Sequence, residues 1–189
     1  LMKAGADVDF GEKLAKISID LIEESLKKAP KEINLYTRDG KQRLRVGGDE
    51  VHFIPGSAAV RVIDRRTGEA RKPTTKDFHD FVRLVETLEN LKMQSTAIIP
   101  WDVPTQLADR YRLYIALCLS NKPIYTGTFS IDGALDMKDM LAVMAGDEEA
   151  LSKKPRAAFT CCPSPPLKWS DITSQNVIDL AKYGIPVSI

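Results

Sequence analysis

Thr96-Ala97-Ile98-Ile99-Pro100-Trp101-Asp102-Val103-Pro104 is the stretch on which the fold turns. Three apolar residues cut off by a proline, with an aromatic and an acid just beyond, read as a short buried strand with an abrupt end. The plan returns at Ile124-Tyr125-Thr126 and at Ala157-Ala158-Phe159, and begins a fourth time at Pro186-Val187-Ser188-Ile189. Strand starts at Thr96, Pro123, Pro155 and Pro186 give steps of 27, 32 and 31 residues, the size of one strand-plus-helix unit.

The segments between these strands carry helical patterns. The first, 105–120, aligns Leu107, Tyr111, Tyr114, Ile115 and Cys118. The second aligns Leu135, Met140, Leu141, Val143 and Met144 and stops at Gly146, with a further helical turn over 147–152. The third spans 171–183, with Gly184 and Pro186 as its stop signal. Strand and helix alternating at this spacing predict parallel strands with right-handed crossovers. An open doubly wound sheet competes with a barrel, but such a sheet places a glycine-rich phosphate loop after its first strand, where this chain has Pro100-Trp101-Asp102. The expected fold is α/β, a partial (β/α)8 TIM barrel preceded by a helix and a small antiparallel β meander. Residues 1–94 form the extension and 95–189 the first half of the barrel. A closed barrel needs ~250 residues, so a fragment of a longer protein is expected.

Within the extension, Leu14, Ile17, Leu21, Ile22 and Leu26 predict an amphipathic helix over 11–29, stopped by Pro30. Residues 31–72 predict the meander. Ile33–Thr37 and Gln42–Val46 flank the hairpin signal Asp39-Gly40, and Val51–Ile54 and Ala58–Ile63 follow between glycine- and proline-rich turns. Gly47-Gly48 is too sparse for a phosphate loop. Thr74 and Asp77 stand three apart as an acidic variant of the capping box. They open a helix over 74–91 whose stripe is Phe78, Phe81, Val82, Val85, Leu88 and Leu91.

Composition narrows the function classes. The 189 residues are 43% hydrophobic and 28% charged, with 27 basic and 26 acidic side chains and a net charge of +1. That balance supplies no electrostatic footprint for nucleic acid or an anionic membrane. No apolar run approaches the ~20 residues a membrane span needs, and no signal peptide opens the sequence. Three cysteines without a CxxC spacing predict a reducing, cytoplasmic setting. His52 and His79 lie in different predicted elements, so no metal site is expected.

Parallel α/β folds bind ligands at the carboxyl ends of their strands. This selects Trp101, Tyr125, Thr126, Phe129, Thr160 and Cys161 as candidate substrate-binding residues. Trp101, Tyr125 and Phe129 could wall a quaternary ammonium through cation–π attraction, or pack beneath the barrel mouth. Asp102 is a ligand-facing carboxylate or, the better reading, the N-cap of the following helix. Cys161 and Cys162, adjacent on a strand, point opposite ways and cannot easily share a metal. No nearby histidine would activate either thiol. There is no GxSxG, HExxH or Walker motif, and catalytic residues stay unassigned.

Several ordered stretches resemble the trimethylamine:corrinoid methyltransferase family. They are Asn34–Gly40, Gly48–Gly56, Val62–Gly68, Arg71–Asp77, Pro100–Pro104, Asn121–Pro123 and Ser164–Leu167. The resemblance implies a TIM barrel with an N-terminal extension, in a protein much longer than this chain. It implies that a methyl group leaves trimethylamine or a betaine for the cob(I)alamin of a separate corrinoid protein, so that no cofactor is bound directly. One branch of that family uses pyrrolysine, at a position in later strands that this chain does not contain. Two other readings stay open: a TIM-barrel enzyme for a phosphorylated small molecule, and an inactive fragment. A half-barrel leaves sheet edges uncovered, so a homo-oligomer is expected.

Overall fold

The computed structural model describes residues 1–189, which divide into two compact units, 1–32 and 33–189. In the first unit, strands β1 (Asp7–Asp9) and β2 (Leu14–Lys16) pair antiparallel, with Val8 opposite Ala15. Helix α1 (Ile19–Lys28) follows. The helix expected over 11–29 is therefore shorter, and its first third is turn and strand. The reason is local. The Asp9 carboxylate accepts from the amides of Gly11 and Glu12, which closes a turn, and Ser18 caps α1 by accepting from the Leu21 amide.

Strand β3 (Glu32–Tyr36), which belongs to the second unit from Ile33 onward, pairs with β4 (Arg43–Gly47) across a turn in which Gly40 takes φ 69°. A second ribbon joins β5 (Val62–Ile63) to β6 (Ala70–Arg71), antiparallel. These are two separate ribbons, not the single antiparallel meander expected. The chain between them goes elsewhere: Phe53 bridges to Leu91 and Ala59 to Ile98, both in parallel sense. The Ala59 amide donates to the Ala97 carbonyl at 2.7 Å, and the Ile99 amide donates to the Ala59 carbonyl at 3.0 Å.

Helix α2 (Thr75–Thr87) begins at the capping box of Thr74 and Asp77 and buries Phe78, Val82 and Val85. It ends at Leu88, short of the expected Leu91. A four-stranded parallel sheet then forms from β7 (Gln94–Ser95), β8 (Ile124–Thr126), β9 (Ala157–Thr160) and β10 (Val187–Ser188), each beside its successor. Gln94 lies opposite Ile124, Ile124 opposite Ala157, and Phe159 opposite Val187. The first strand falls earlier than Ala97-Ile98-Ile99, because the backbone around Ile98 bonds to Ala59 and not to β8.

Helices α3 (Ala108–Leu119), α4 (Ile131–Ala145), α5 (Glu148–Lys153) and α6 (Asp171–Lys182) fill the crossovers. Leu113, Leu117, Ile124, Met137, Leu141, Phe159 and Leu180 belong to the largest core cluster. The expected face of α3 is largely its outer one: Leu107, Tyr111, Tyr114 and Cys118 are exposed, and only Ile115 is buried. The inner face carries Asp109, Arg112, Leu113, Ala116 and Leu117, two of them charged. Val143, placed on the apolar face of α4, is 80% exposed, whereas Met137 and Lys138 are buried. No helix is long and apolar enough to cross a membrane.

Candidate functional site

A cavity of about 350 Å³ opens where β8 and β9 end. Gly127 and Thr160 bring the two strand ends together: a Cβ on Gly127 would stand 3.2 Å from the Thr160 methyl carbon. Thr96, just beyond β7, contributes its side of the wall, and its hydroxyl lies 3.0 Å from that of Thr126. Phe129 and Thr128 come from the loop leading into α4, Cys161 and Cys162 from the end of β9, and Thr173 and Asn176 from α6.

The lining contains a single formally charged side chain, Arg112 of α3, which is 2% exposed. Its Nε donates to the Ala108 carbonyl at 3.2 Å and its Nη1 to the Thr96 carbonyl at 2.6 Å. Its guanidinium carbon sits 5.0 Å from the centre of the Phe129 ring. Nη2 has no hydrogen-bond acceptor in the protein. Burial lowers the Arg112 pKa to about 10, and the Asp109 charge works against that shift. Such a group remains a cation at neutral pH.

Asp109, three residues earlier in the helix, is the anchor of the same wall. It is 0% exposed and accepts from the Phe129 amide at 2.8 Å, the Thr128 hydroxyl at 3.0 Å and the Arg110 amide at 2.8 Å. A charged acceptor with three short hydrogen bonds fixes the loop that presents Phe129. Asn176 is the second unusual group: it is 2% exposed, and its Oδ1 has no partner. Buried polar atoms are nearly always paired, so this oxygen is an exception within the wall.

Phe129, Thr160 and Cys161 line this cavity; Trp101, Tyr125 and Thr126 do not. Trp101 is 56% exposed, and the Lys72 ammonium lies 3.6 Å from the centre of its ring. That face already holds a cation of the protein's own. Tyr125 packs against the cluster of Leu35, Met93 and Ala158, while Thr126 is buried against Thr96. Asp102 is a cap, but of the preceding helix: its Oδ1 accepts from the Thr75 amide at 2.8 Å and the Thr75 hydroxyl at 3.0 Å. Burial raises the Cys161 thiol pKa, with Cys162 adding to the effect, so it is a poor nucleophile. Arg112 and Asn176 went unread in the sequence. The available signal was an arginine in register with Ala108 and Ala116 on a small-residue face of α3.

A parallel sheet with a cavity at its strand ends, lined by one buried cation, makes this an α/β protein with an opening in the position where such sheets bind ligands. The chain belongs to the trimethylamine methyltransferase family (MTTB), whose family model matches residues 1–189. A trimethylamine methyltransferase of Desulfitobacterium hafniense is 29% identical over 190 residues, covering 99% of this chain and 38% of that protein. A glycine betaine methyltransferase of Desulfitobacterium hafniense is 26% identical over 171 residues, covering 90% of this chain and 36% of that protein. A trimethylamine methyltransferase of Methanosarcina barkeri is 27% identical over 190 residues, covering 98% and 38%. The chain thus spans a little over a third of the length of these relatives.

Proposed function

We propose that this chain is part of a methyltransferase that takes a methyl group from a methylated amine, trimethylamine or a betaine, and passes it to the cob(I)alamin of a partner corrinoid protein. Membership of the family across the whole chain carries this reading. In the reaction the C–N bond breaks, its electron pair stays on nitrogen as a neutral amine leaves, and the methyl group is taken up by reduced cobalt on the partner. No proton has to move for a quaternary ammonium substrate, so the chain's task is to bind and orient the amine and to keep water out. Phe129, Thr160 and Cys161 are the residues we assign to substrate contact.

In this reading the parallel sheet is the first half of a (β/α)8 barrel, with residues 95–189 as barrel and 1–94 as extension. The unbroken strand order β7-β8-β9-β10 supports it, since a doubly wound sheet reverses its order at a switch point. The sheet has β10 bonded on one side only, an edge suited to further strands or to a second copy in a homo-oligomer. The cytoplasm, where reduced corrinoid protein is available, is the compartment that fits. The test is incubation of the protein with a cob(I)alamin-loaded corrinoid protein and trimethylamine or glycine betaine. A change of the corrinoid spectrum to the methylated form is expected, and no change with any methylated amine would sink the reading.

A further inference from the structure

We propose that the loop 163–169, between β9 and α6, is a lid that closes over the strand-end cavity when a methylated amine fills it. This rests on the methyl-transfer reading for the ligand and adds a moving part to that site. The loop is a closed unit of its own. The Ser164 amide donates to the Lys168 carbonyl, and the Lys168 amide to the Ser164 carbonyl, both at 2.8 Å. No other hydrogen bond or ion pair engages residues 163–169. Its two ends are fixed. The Thr160 hydroxyl and the Cys162 thiol lie 3.4 Å apart, and Ser170 caps α6 by accepting from the Thr173 amide at 3.1 Å. The tip can therefore swing as one body about the short stretches on either side.

The open position is costly, and the cavity rim offers a better one. Leu167 is 95% exposed, and its φ of 53° lies in the left-handed region that a leucine disfavours. Strained backbone of this kind clusters at ligand clamps and switches. Trp169, two residues on, is also exposed. Both ends of the loop lead into the cavity wall, with Cys162 before it and Ile172 and Thr173 after it. Phe129 and Ile172 line the cavity and are partly exposed, so the rim presents an apolar seat for Leu167. Burying a leucine side chain favours closure by ~10-fold or more in the equilibrium. Closing over an unfilled cavity would take the half-buried hydroxyls of Thr128 and Thr160 from water, a cost that a ligand removes. Closure thus depends on the ligand. The closed loop holds the amine and excludes water until docking of the partner lifts it.

The test uses the W101F variant of this chain, in which Trp169 is the sole tryptophan. Glycine betaine and trimethylamine are titrated separately. At least one is expected to shift the Trp169 emission to the blue. The same ligand should slow trypsin cleavage after Lys168 by ~10-fold, because cleavage tracks the population of the open loop. L167N leaves the loop able to form, since asparagine tolerates left-handed backbone and the side chain at 167 packs on nothing. It is expected to weaken binding of that ligand ~10-fold by removing the apolar contact, with an unfolding midpoint no lower than the parent's. Unchanged emission and cleavage with both ligands, or full binding and protection in L167N, would overturn the lid. So would burial of Trp169 that rises with protein concentration in the absence of ligand, which would assign Leu167 and Trp169 to contact with a second copy. The methyl-transfer reading fails separately. A loop that closes on glycine betaine that is never demethylated would leave the lid standing and remove the function. Methyl transfer with a loop that stays fully cleavable would do the reverse.

Discussion

The Arg112 guanidinium donates through Nη1 to the carbonyl of Thr96 at 2.6 Å, tying the inner face of α3 to the end of the first parallel strand. Three residues earlier Asp109 ties the same helix to the Phe129 loop beyond the second strand. One helix therefore holds two walls of the cavity with two opposite charges. Neither charge is spent on the other, so both walls are fixed by charged hydrogen bonds to backbone groups.

Gly133 makes that arrangement possible. A Cβ there would stand 2.7 Å from the Asp109 carboxylate, 2.8 Å from the Thr128 hydroxyl and 2.9 Å from the Ser130 hydroxyl. All three atoms are already hydrogen-bonded, and Asp109 is fully buried, so none can yield cheaply. G133A is expected to cost ~1–3 kcal/mol by overpacking, although alanine is the better helix former. Urea denaturation would show this as a lower midpoint. A variant as stable as the parent would mean that α4 can slide away from Asp109.

Asp77 caps α2 and also receives two hydrogen bonds from Arg71, at 2.8 and 2.7 Å. The Arg71 hydrogen bond, with further help from Thr74, holds its carboxyl far below the usual carboxylate range. The folded-state pKa is lowered, so this contribution is present above the unfolded-state value of ~3.9 and is lost as pH falls toward the folded-state value. The stability gap between the parent and D77N should be full at pH 6 and shrink below about pH 4. Unfolding midpoints compared at several pH values check the sign. A gap that widens in acid would contradict it.

Asp102 acts on α2 from across the chain through the Thr75 amide and hydroxyl. D102A should destabilise by ~0.5–2 kcal/mol, the range for losing a cap. Thermal melting followed by circular dichroism measures that loss. Glycine betaine affinity should not change, because Asp102 does not line the cavity. A stable variant with weakened ligand binding would return Asp102 to the ligand-facing role.

Cys161 is buried and its thiol pKa is raised, whereas Cys118 and Cys162 are exposed. Since the thiolate is the reacting form, iodoacetamide at pH 7.5 should modify Cys162 ~10-fold or more faster than Cys161. Peptide mass mapping over time resolves the three sites. Comparable rates at Cys161 and Cys162 would reopen the case for a nucleophile at the end of β9.

The sequence by itself determined the periodic part of this protein. Steps of 27, 32 and 31 residues placed the parallel units, and Thr74–Asp77, Gly146 and Gly184 marked helix ends, because caps and repeats are local and their signals lie within a few residues. The ordered stretches from Asn34 to Leu167 also carried the family resemblance, and the family model spans the same chain. Tertiary structure alone decided which faces were inner and which residues made the site. The stripe of Leu107, Tyr111 and Tyr114 was the more apolar one, yet the inner face of α3 took Asp109 and Arg112, because backbone groups of Phe129 and Thr96 waited there. Ile98 likewise bonded to Ala59, 39 residues before it, and so left the sheet it was expected to open. Hydrogen bonds between residues far apart in the chain leave no period in the sequence, so Arg112 and Asn176 became visible only when the fold brought them to one cavity.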